Sequence, residues 1–429
     1  MQPVLQVALD FADLDRALQL AAEAVAGGAD WIEAGTPLIK SVGLDCVREL
    51  RRAFPRATIV ADMKTMDAGY AEVEMAAKAG ANVVVAIAAA ADSTLRECVQ
   101  AAAAYNARAA ADLLGVADPV ARARQIQDLG LSHVGFHTPI DEQMRGETPF
   151  ASLRALCQAV SIPVAVAGGV NSQTAPLAIE AGASIIIVGG AITKAPNARE
   201  AAQAIKKAMT GRSAAPTNRF TRVAGGDLRP LLLQTPTADL STGNHDWPGF
   251  VGFQQVCPGV PMAGTAFTVR TLPGDWSKPV QAIDHAKPGD VLVIDAGGQP
   301  PAVWGELASL SAKQRGLAGV VIHGAARDTS AIRKLQFPVY STLVCPHAGK
   351  PKGFGELGAT LSIHGQTIRP GDWIVGDDDG MIVLPAERAV EMANRSRDKL
   401  EGEERIIQEI NNGKTLGQIV ELAKWDVAR

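Results

Sequence analysis

The chain has 429 residues, 47% of them hydrophobic but only 4% aromatic, with 41 Lys and Arg against 45 Asp and Glu. That length predicts two domains of about 200 residues with cores of Ala, Val, Leu and Ile, and the net charge of -4 excludes a nucleic-acid binder that works through basic excess. Five scattered cysteines without a Cys-x-x-Cys spacing predict a reducing cytoplasm, "MQPVLQVALD" lacks the basic start of a signal peptide, and the interrupted apolar runs predict no membrane span.

From the start, "VLQVALD" reads as a strand and "DLDRALQLAAEAVAGG" as a helix with apolar residues at helical spacing. The pattern then repeats. "GGADWIEAG", "AGANVVVAI", "LGLSHVGFH" and "AGASIIIVGG" each place a glycine before a β-rich run, and Gly28, Gly80, Gly130 and Gly182 recur about every 50 residues. A glycine that ends a helix just ahead of a strand explains each copy. "ATIVADMK", "RAAADLLG" and "IPVAVAGG" fall between them, which makes eight strands. Eight apolar strands alternating with helices predict an α/β fold with a parallel sheet closed into a (β/α)8 barrel over residues 1–210; an open doubly wound sheet is the other arrangement. "GRSAAPTN", residues 211–218, reads as a linker.

Residues 219–429 have a different texture. "AGTAFTVRTL", "GDVLVIDAGG", "GVVIHGAARD", "FPVYSTLV" and "GDWIVGDDDGMIVLP" are strands broken by Gly-Asp and Pro-Gly turns. "VWGELASLSAKQRG" is a strong helix, and a charged amphipathic helix runs from about Ala386 to Asn412. "GDDDG", residues 376–380, invites a metal reading but fits a hairpin turn better.

In a parallel barrel the reactive side chains gather at the C-terminal strand ends. Those ends carry Asp10, Glu33, Asp62 with Lys64, His137, and the glycine pairs Gly168-Gly169 and Gly189-Gly190. Two bare carboxylates about 4 Å apart repel by roughly 4 kcal/mol at an effective dielectric of 20. Several on one rim therefore need Lys64, a divalent cation, or both, and oxygen ligands of this kind suit Mg²⁺ or Mn²⁺. The glycine pairs follow strands seven and eight, where barrels bind phosphate through backbone N–H groups. Each feature has a plainer reading, as a helix cap, a turn or a core histidine, and His133 is assigned that structural role. Their convergence on one rim points instead to a sugar phosphate whose enediol is made and held.

"QVALD", "IEAGTPLIKSVG", "ADMKTMDAG", "ADSTL", "HTPIDEQ", "VAGGV" and "GGAIT" together closely resemble the 3-hexulose-6-phosphate synthases, members of the orotidine-monophosphate-decarboxylase-like barrels that share an Asp-x-Lys-x-x-Asp signature. The resemblance implies reversible addition of formaldehyde to ribulose 5-phosphate. It implies Mg²⁺ on Glu33 and Asp62, a proton shuttle at His137, and Lys64 beside developing negative charge. Asp10 would orient Lys64 and the hydroxyls, and Asp67 would reach into a partner subunit's site. The related 3-keto-gulonate-6-phosphate decarboxylases place arginines where this chain has Thr138 and Ala191, which favours the synthase; "AIAAAAD" at 86–92 and Thr138 bear on substrate preference. A Schiff-base role for Lys64 needs a depressed pKa, whereas flanking carboxylates at Asp62 and Asp67 stabilise the ammonium. Metal dependence is therefore expected.

In the second half, "KPGDVLVIDAGG", "WGELASLSAKQRGLAGVVIHGAARD", "FPVY" and "PGDWIVGDDDGMIVLP" resemble the RraA-like fold, which includes regulators of ribonuclease activity and 4-hydroxy-4-methyl-2-oxoglutarate aldolases. The resemblance implies an α/β/β sandwich in trimers. Arg327 would hold a pyruvate-type keto acid, with a divalent metal near Asp328 and Glu306 and backbone donors from Gly297-Gly298; His323 stands where an acidic residue is expected. A non-enzymatic regulatory or oligomerisation module is the contrasting reading. A dimeric barrel joined to a trimeric domain predicts a homo-oligomer, a hexamer or larger.

Overall fold

Eight strands, β1 (Val4–Leu9), β2 (Trp31–Ala34), β3 (Thr58–Thr65), β4 (Val83–Ile87), β5 (Arg108–Asp112), β6 (Val134–His137), β7 (Val164–Ala167) and β8 (Ile185–Val188), pair in parallel in sequence order. The register Val4↔Ile185 to Val7↔Val188 joins β1 to β8 and closes the barrel, so the open-sheet alternative does not apply. The computed structural model describes residues 2–148, 150–217 and 219–420. Asn218 of the expected linker and residues 421–429 lie outside the described residues. Gly28, Gly80, Gly130 and Gly182 all have φ between 94° and 111°, the left-handed turn expected of a glycine that ends a helix and feeds the next strand.

Side chains alternate across each strand. Leu5, Val7 and Leu9, Ile32 and Ala34, Ile59 and Ala61, Val84 and Ala86, and Ala109 and Ala111 face outward and join the core under the helices. Residues of the opposite parity face the barrel axis. Val60, Val83 and Ala110 form a small inner cluster with Trp31 and Val85, and one step nearer the C-terminal rim the same parity gives Glu33, Asp62 and Asp112.

The second unit has its own sheet. Strands β9 (Met262–Arg270), β10 (Val291–Asp295), β11 (Gly319–Ala326) and β12 (Val339–Val344) are parallel neighbours in that order. On the far side of β9, β13 (Trp373–Asp377) and β14 (Gly380–Leu384) extend the sheet antiparallel. The register Asp377↔Gly380 makes "GDDDG" a hairpin turn, as expected. One face packs Ala282, Ile283, Ala312 and Ile332 of three helices. The other packs Val293, Val321 and Tyr340 against Leu361, Ile363 and Ile368 of a short hairpin. Helices, sheet and hairpin are the three layers of the expected α/β/β sandwich.

By packing, one unit comprises the chain up to Arg222 together with the chain from Glu401 onward, and the other comprises Val223–Leu400. The helix expected near the C-terminus is present as Ala389–Asn411. From Glu401 it belongs with the barrel, so the expected span 219–429 is divided there. A buried guanidinium helps tie it there: Arg405 donates to both oxygens of Glu23 at 2.8 and 3.0 Å and to the Pro196 carbonyl at 3.0 Å. Among the described residues no helix is long and apolar enough to cross a membrane.

Candidate active site

The inward parity brings Asp10, Glu33, Asp62, Lys64 and His137 to one rim, at the ends of β1, β2, β3 and β6. A fifth strand adds Asp112, the last residue of β5, and this group links the others. Asp112 Oδ2 accepts from Lys64 Nζ at 2.9 Å and lies 3.6 Å from His137 Nδ1. Lys64 Nζ also sits 2.9 Å from Asp62 Oδ2. Asp62, Lys64, Asp112 and His137 thus form one chain of alternating charge-bearing groups.

Backbone geometry makes the Asp62–Lys64 contact possible. In a regular strand, side chains two residues apart are separated by about 6.6 Å along the chain. Here the β3–β4 ladder runs Ala61↔Val84 and then Thr65↔Ala86, so four steps on β3 face two on β4. Lys64 absorbs the slip with φ 48°, a left-handed conformation rare for a residue with a side chain. The strand is shortened locally and the ammonium folds back onto Asp62.

Burial and neighbouring charges shift these acids in different directions. Burial raises the Asp10 carboxyl above its ordinary value and the Asp62 charge adds to the rise, against partial relief from Lys64 and His137. Glu33 is raised further by burial and by Asp62 and Asp10, with relief from Gln6, whose side-chain amide donates to Glu33 Oε2. For Asp112, burial alone would raise the carboxyl, but His137 and Lys64 outweigh it and hold it at about 2. Burial alone would lower the Lys64 ammonium, but Asp62 and Asp112 outweigh it and hold it above its ordinary value. The carboxylates beside Lys64 are therefore Asp62 and Asp112, not Asp62 and Asp67. Asp67 is exposed and accepts the N–H of Ala68 at 2.7 Å, near exposed Met66, Tyr70 and Met75.

Crowded acids of this kind suit a divalent cation. Glu33 and Asp62 offer hard oxygen donors, and the buried Oε1 of Gln6 beside them has no partner. Among the described residues no three His, Cys, Asp or Glu side chains close around one point; a pair of carboxylates is what Glu33 and Asp62 could offer. Mg²⁺ takes that kind of site, with waters and substrate oxygens as its other ligands. Thr36 Oγ1 fixes Asp62, lying 2.8 Å from its carbonyl and 2.9 Å from its Oδ2.

Beside this cluster, Gly168 and Gly169 have φ of 99° and 69°. A Cβ on Gly168 would lie 2.6 Å from the Thr138 carbonyl and 2.9 Å from Gln143 Nε2, so the turn excludes any side chain. Gly189 and Gly190 open the turn after β8, and Asp10 Oδ2 lies 3.7 Å from the place of a Gly189 Cβ. Gly189 thus adjoins the acidic rim, and Gly168 adjoins Thr138, the residue after His137. His133, buried and tilted against Trp31 at 6.1 Å between ring centroids, is lowered to about 4 by burial and Arg108 and stays neutral, as its structural assignment requires.

Asp112, Gln6 and Thr36 escaped the sequence reading. Asp112 was accessible by the rule that found the others, since it ends a strand. Gln6 and Thr36 are neutral, and their partners lie 27 and 26 residues away.

In the second unit Arg327 Nε lies 3.4 Å from Asp328 Oδ2, both partly exposed. Asp328, at φ 57°, accepts the backbone N–H of Glu306 at 3.2 Å, so it is the Glu306 amide, not its exposed carboxylate, that meets Asp328. Gly305 permits this approach, because a Cβ there would lie 2.6 Å from Asp328 Oδ2. His323 Nδ1 pairs with Asp295 Oδ1 at 2.8 Å, and the N–H of Gly297 donates to the same oxygen at 3.1 Å. A Cβ on Gly298 would lie 2.7 Å from His323 Nε2.

Residues 3–205 match the family described as orotidine 5'-phosphate decarboxylase / HUMPS, and residues 237–383 match the RraA-like family, described as aldolase/RraA. A 3-hexulose-6-phosphate synthase of Mycobacterium gastri is 40% identical over 205 residues, 48% of this chain and 99% of the relative. Another of Methylomonas aminofaciens is 40% identical over 201 residues, 47% of this chain and 96% of the relative. A crystal structure of a 3-hexulose-6-phosphate synthase shares 40% identity, covers 48% of this chain and 99% of its own, and has a TM-score of 0.46.

Proposed function

Because the chain belongs through its barrel to the orotidine 5'-phosphate decarboxylase / HUMPS family, we propose that it is a 3-hexulose-6-phosphate synthase, joining formaldehyde to D-ribulose 5-phosphate with Mg²⁺ or Mn²⁺ as cofactor. The observation that carries this reading is the linked set Asp62, Lys64, Asp112 and His137 beside the glycine turns.

His137 takes a proton from C1 of the ketose, and the electron pair left behind spreads over C1 and the carbonyl at C2 as an enediolate. C1 then attacks the formaldehyde carbon, one carbon–carbon bond forms, and the former formaldehyde oxygen receives the proton from His137. Asp112 faces both His137 and Lys64, so it holds the imidazole in place and balances its positive charge while it carries the proton. Lys64, kept charged by Asp62 and Asp112, stabilises the negative charge that develops on the substrate oxygens. Glu33 and Asp62 would hold the metal, and Asp10 orients hydroxyls from β1. When bound, the metal supplies positive charge that lowers the cost of that developing negative charge. The N–H groups of Gly168, Gly169, Gly189 and Gly190 bind the phosphate. Asp67 acts in the site of a second copy, a role supported by its exposure among exposed Met66, Tyr70 and Met75.

For the second unit we propose a pyruvate-type keto acid held by Arg327, with Asp328 and Glu306 toward a divalent metal; support comes from the aldolase/RraA match and the Arg327–Asp328 pair.

The test is formaldehyde consumption by the purified full chain with ribulose 5-phosphate and Mg²⁺. Turnover lost on chelation and in Asp62→Ala is expected. Turnover that survives both, with a borohydride-trapped adduct on Lys64, would sink the reading.

A further inference from the structure

The helix Ala198–Gly211 completes the eighth β/α unit, and the family match ends at residue 205. The chain beyond it does not leave the barrel at once. It doubles back across the turns that follow β7 and β8. The Ala215 N–H donates to the Ser172 carbonyl at 3.2 Å, and Ser172 Oγ donates to the Ala215 carbonyl at 3.0 Å. Asn171 Nδ2 donates to the Phe220 carbonyl at 3.1 Å. Asn171 is itself buried, and its Oδ1 accepts the N–H groups of Gln173 and Thr174 at 2.9 and 3.1 Å, so it shapes the turn that begins with Gly168-Gly169. The Phe220 ring reaches the other turn, with Cδ1 3.8 Å from the place of a Gly190 Cβ.

The segment is also tied from behind. The Phe220 N–H donates to Glu401 Oε1 at 2.6 Å, and Arg222 Nη1 donates to Glu401 Oε2 at 3.0 Å. Glu401 is 5% exposed, so this carboxylate is committed to the strap. The cost of holding Phe220 at φ 54°, an uncommon conformation for an aromatic residue, is met by these anchors.

We propose that residues 215–217 and 219–222 form a strap that orders the phosphate-binding turns of the barrel, with Phe220 as the positioning residue. The physical reason is entropy. Consecutive glycines lose more backbone freedom on ordering than any other residues, and a turn already fixed by docking does not incur that loss when the phosphate arrives. The proposal rests on the reading of Gly168, Gly169, Gly189 and Gly190 as the phosphate site. The ligand class it concerns is a phosphate monoester of a small sugar.

The experiment uses the full chain and two variants, Phe220→Ala and Glu401→Ala, with Phe220→Leu as the conservative control. Hydrogen exchange by mass spectrometry reads the peptides over 168–174 and 189–194, with those over β3 and β4 as internal reference. Both variants should exchange about tenfold faster in the two turns and unchanged in the reference strands, and Phe220→Leu should restore protection. The KM for ribulose 5-phosphate should rise about tenfold with kcat within about twofold. Unchanged exchange in both turns overturns the strap, as does a KM that falls, which would make the segment an obstruction. If the wild-type chain turns over no sugar phosphate, the proposed function fails, while the exchange rates still decide whether the strap orders these turns.

Discussion

Asp112→Asn removes the charge on which Lys64 and His137 both depend, while nearly keeping the shape. A carboxyl held at about 2 rather than at its ordinary 3.8 stabilises the folded chain by about 2 kcal/mol at neutral pH. The sign follows from the depressed value: the stabilisation is complete above the unfolded carboxyl's pKa and is lost as pH falls through the folded one, between about pH 4 and pH 2. Urea unfolding should therefore separate wild type and variant by about 2 kcal/mol at pH 7 and by about half that at pH 3. Lys64 keeps Asp62 as a partner at 2.9 Å, so it is not orphaned and the larger penalty of an unpaired buried charge does not apply. For turnover, a lost hydrogen bond to a charged group is worth about 1.5–3 kcal/mol, so kcat should drop by roughly 10- to 150-fold. Equal unfolding midpoints at both pH values, together with an unchanged kcat, would refute the linkage of Lys64, Asp112 and His137.

Glu33→Gln should raise the melting temperature of the metal-free chain at pH 7, by about 2–4 °C for each kcal/mol of charge burial and repulsion relieved. Because the folded carboxyl is raised, its contribution to stability is full below the ordinary glutamate value and is lost as pH rises, so the gain should fade in mildly acidic buffer; Mg²⁺ should stabilise wild type but not the variant. Gly168→Ala places a Cβ 2.6 Å from a carbonyl at φ 99° and should cost about 2–3 kcal/mol in urea unfolding while raising the KM for sugar phosphate; a neutral result would remove the turn from the site. Arg327→Ala should abolish turnover of the proposed pyruvate-type keto acid, with oxaloacetate as the probe, and leave formaldehyde addition within about twofold, since the two sites lie in separately packed units. Loss of both activities would show that the units do not act independently.

Much of the barrel was legible because local chemistry repeats. A helix-ending glycine followed by a β-branched run is a short-range pattern, and it marked β2, β4, β6 and β8. The rule that a parallel barrel gathers reactive side chains at its C-terminal strand ends then placed Asp10, Glu33, Asp62 and His137 together, and side-chain parity in the structure turns them inward. Asp112 was lost because Leu113 and Leu114 follow it and blur where "RAAAD" ends. The misplacement of Asp67 beside Lys64 had another cause: spacing along a sequence does not register a ladder slip. Only the first part of the strap was legible, as the linker 211–218, since small residues and a proline describe its composition, while 219–222 was read as part of the second domain. The docking relies on side chains distant in sequence, Asn171, Ser172 and Glu401, meeting backbone groups of the strap, which composition does not encode. The order of strands in the second unit stayed hidden for a related reason, because short pieces such as Gln254–Gln255 find their partner in β12, far along the chain.

The slip at Lys64 ties two requirements to one codon. The position needs a long cationic side chain to meet Asp62 and Asp112, and it needs a residue that accepts a left-handed turn. Residues that favour that turn, such as glycine or asparagine, cannot carry the charge, while β-branched residues are excluded by the backbone alone. A descendant that set out to discard the ammonium for different chemistry would face a frame still shaped for it, and would have to straighten β3 before any new side chain could aim elsewhere.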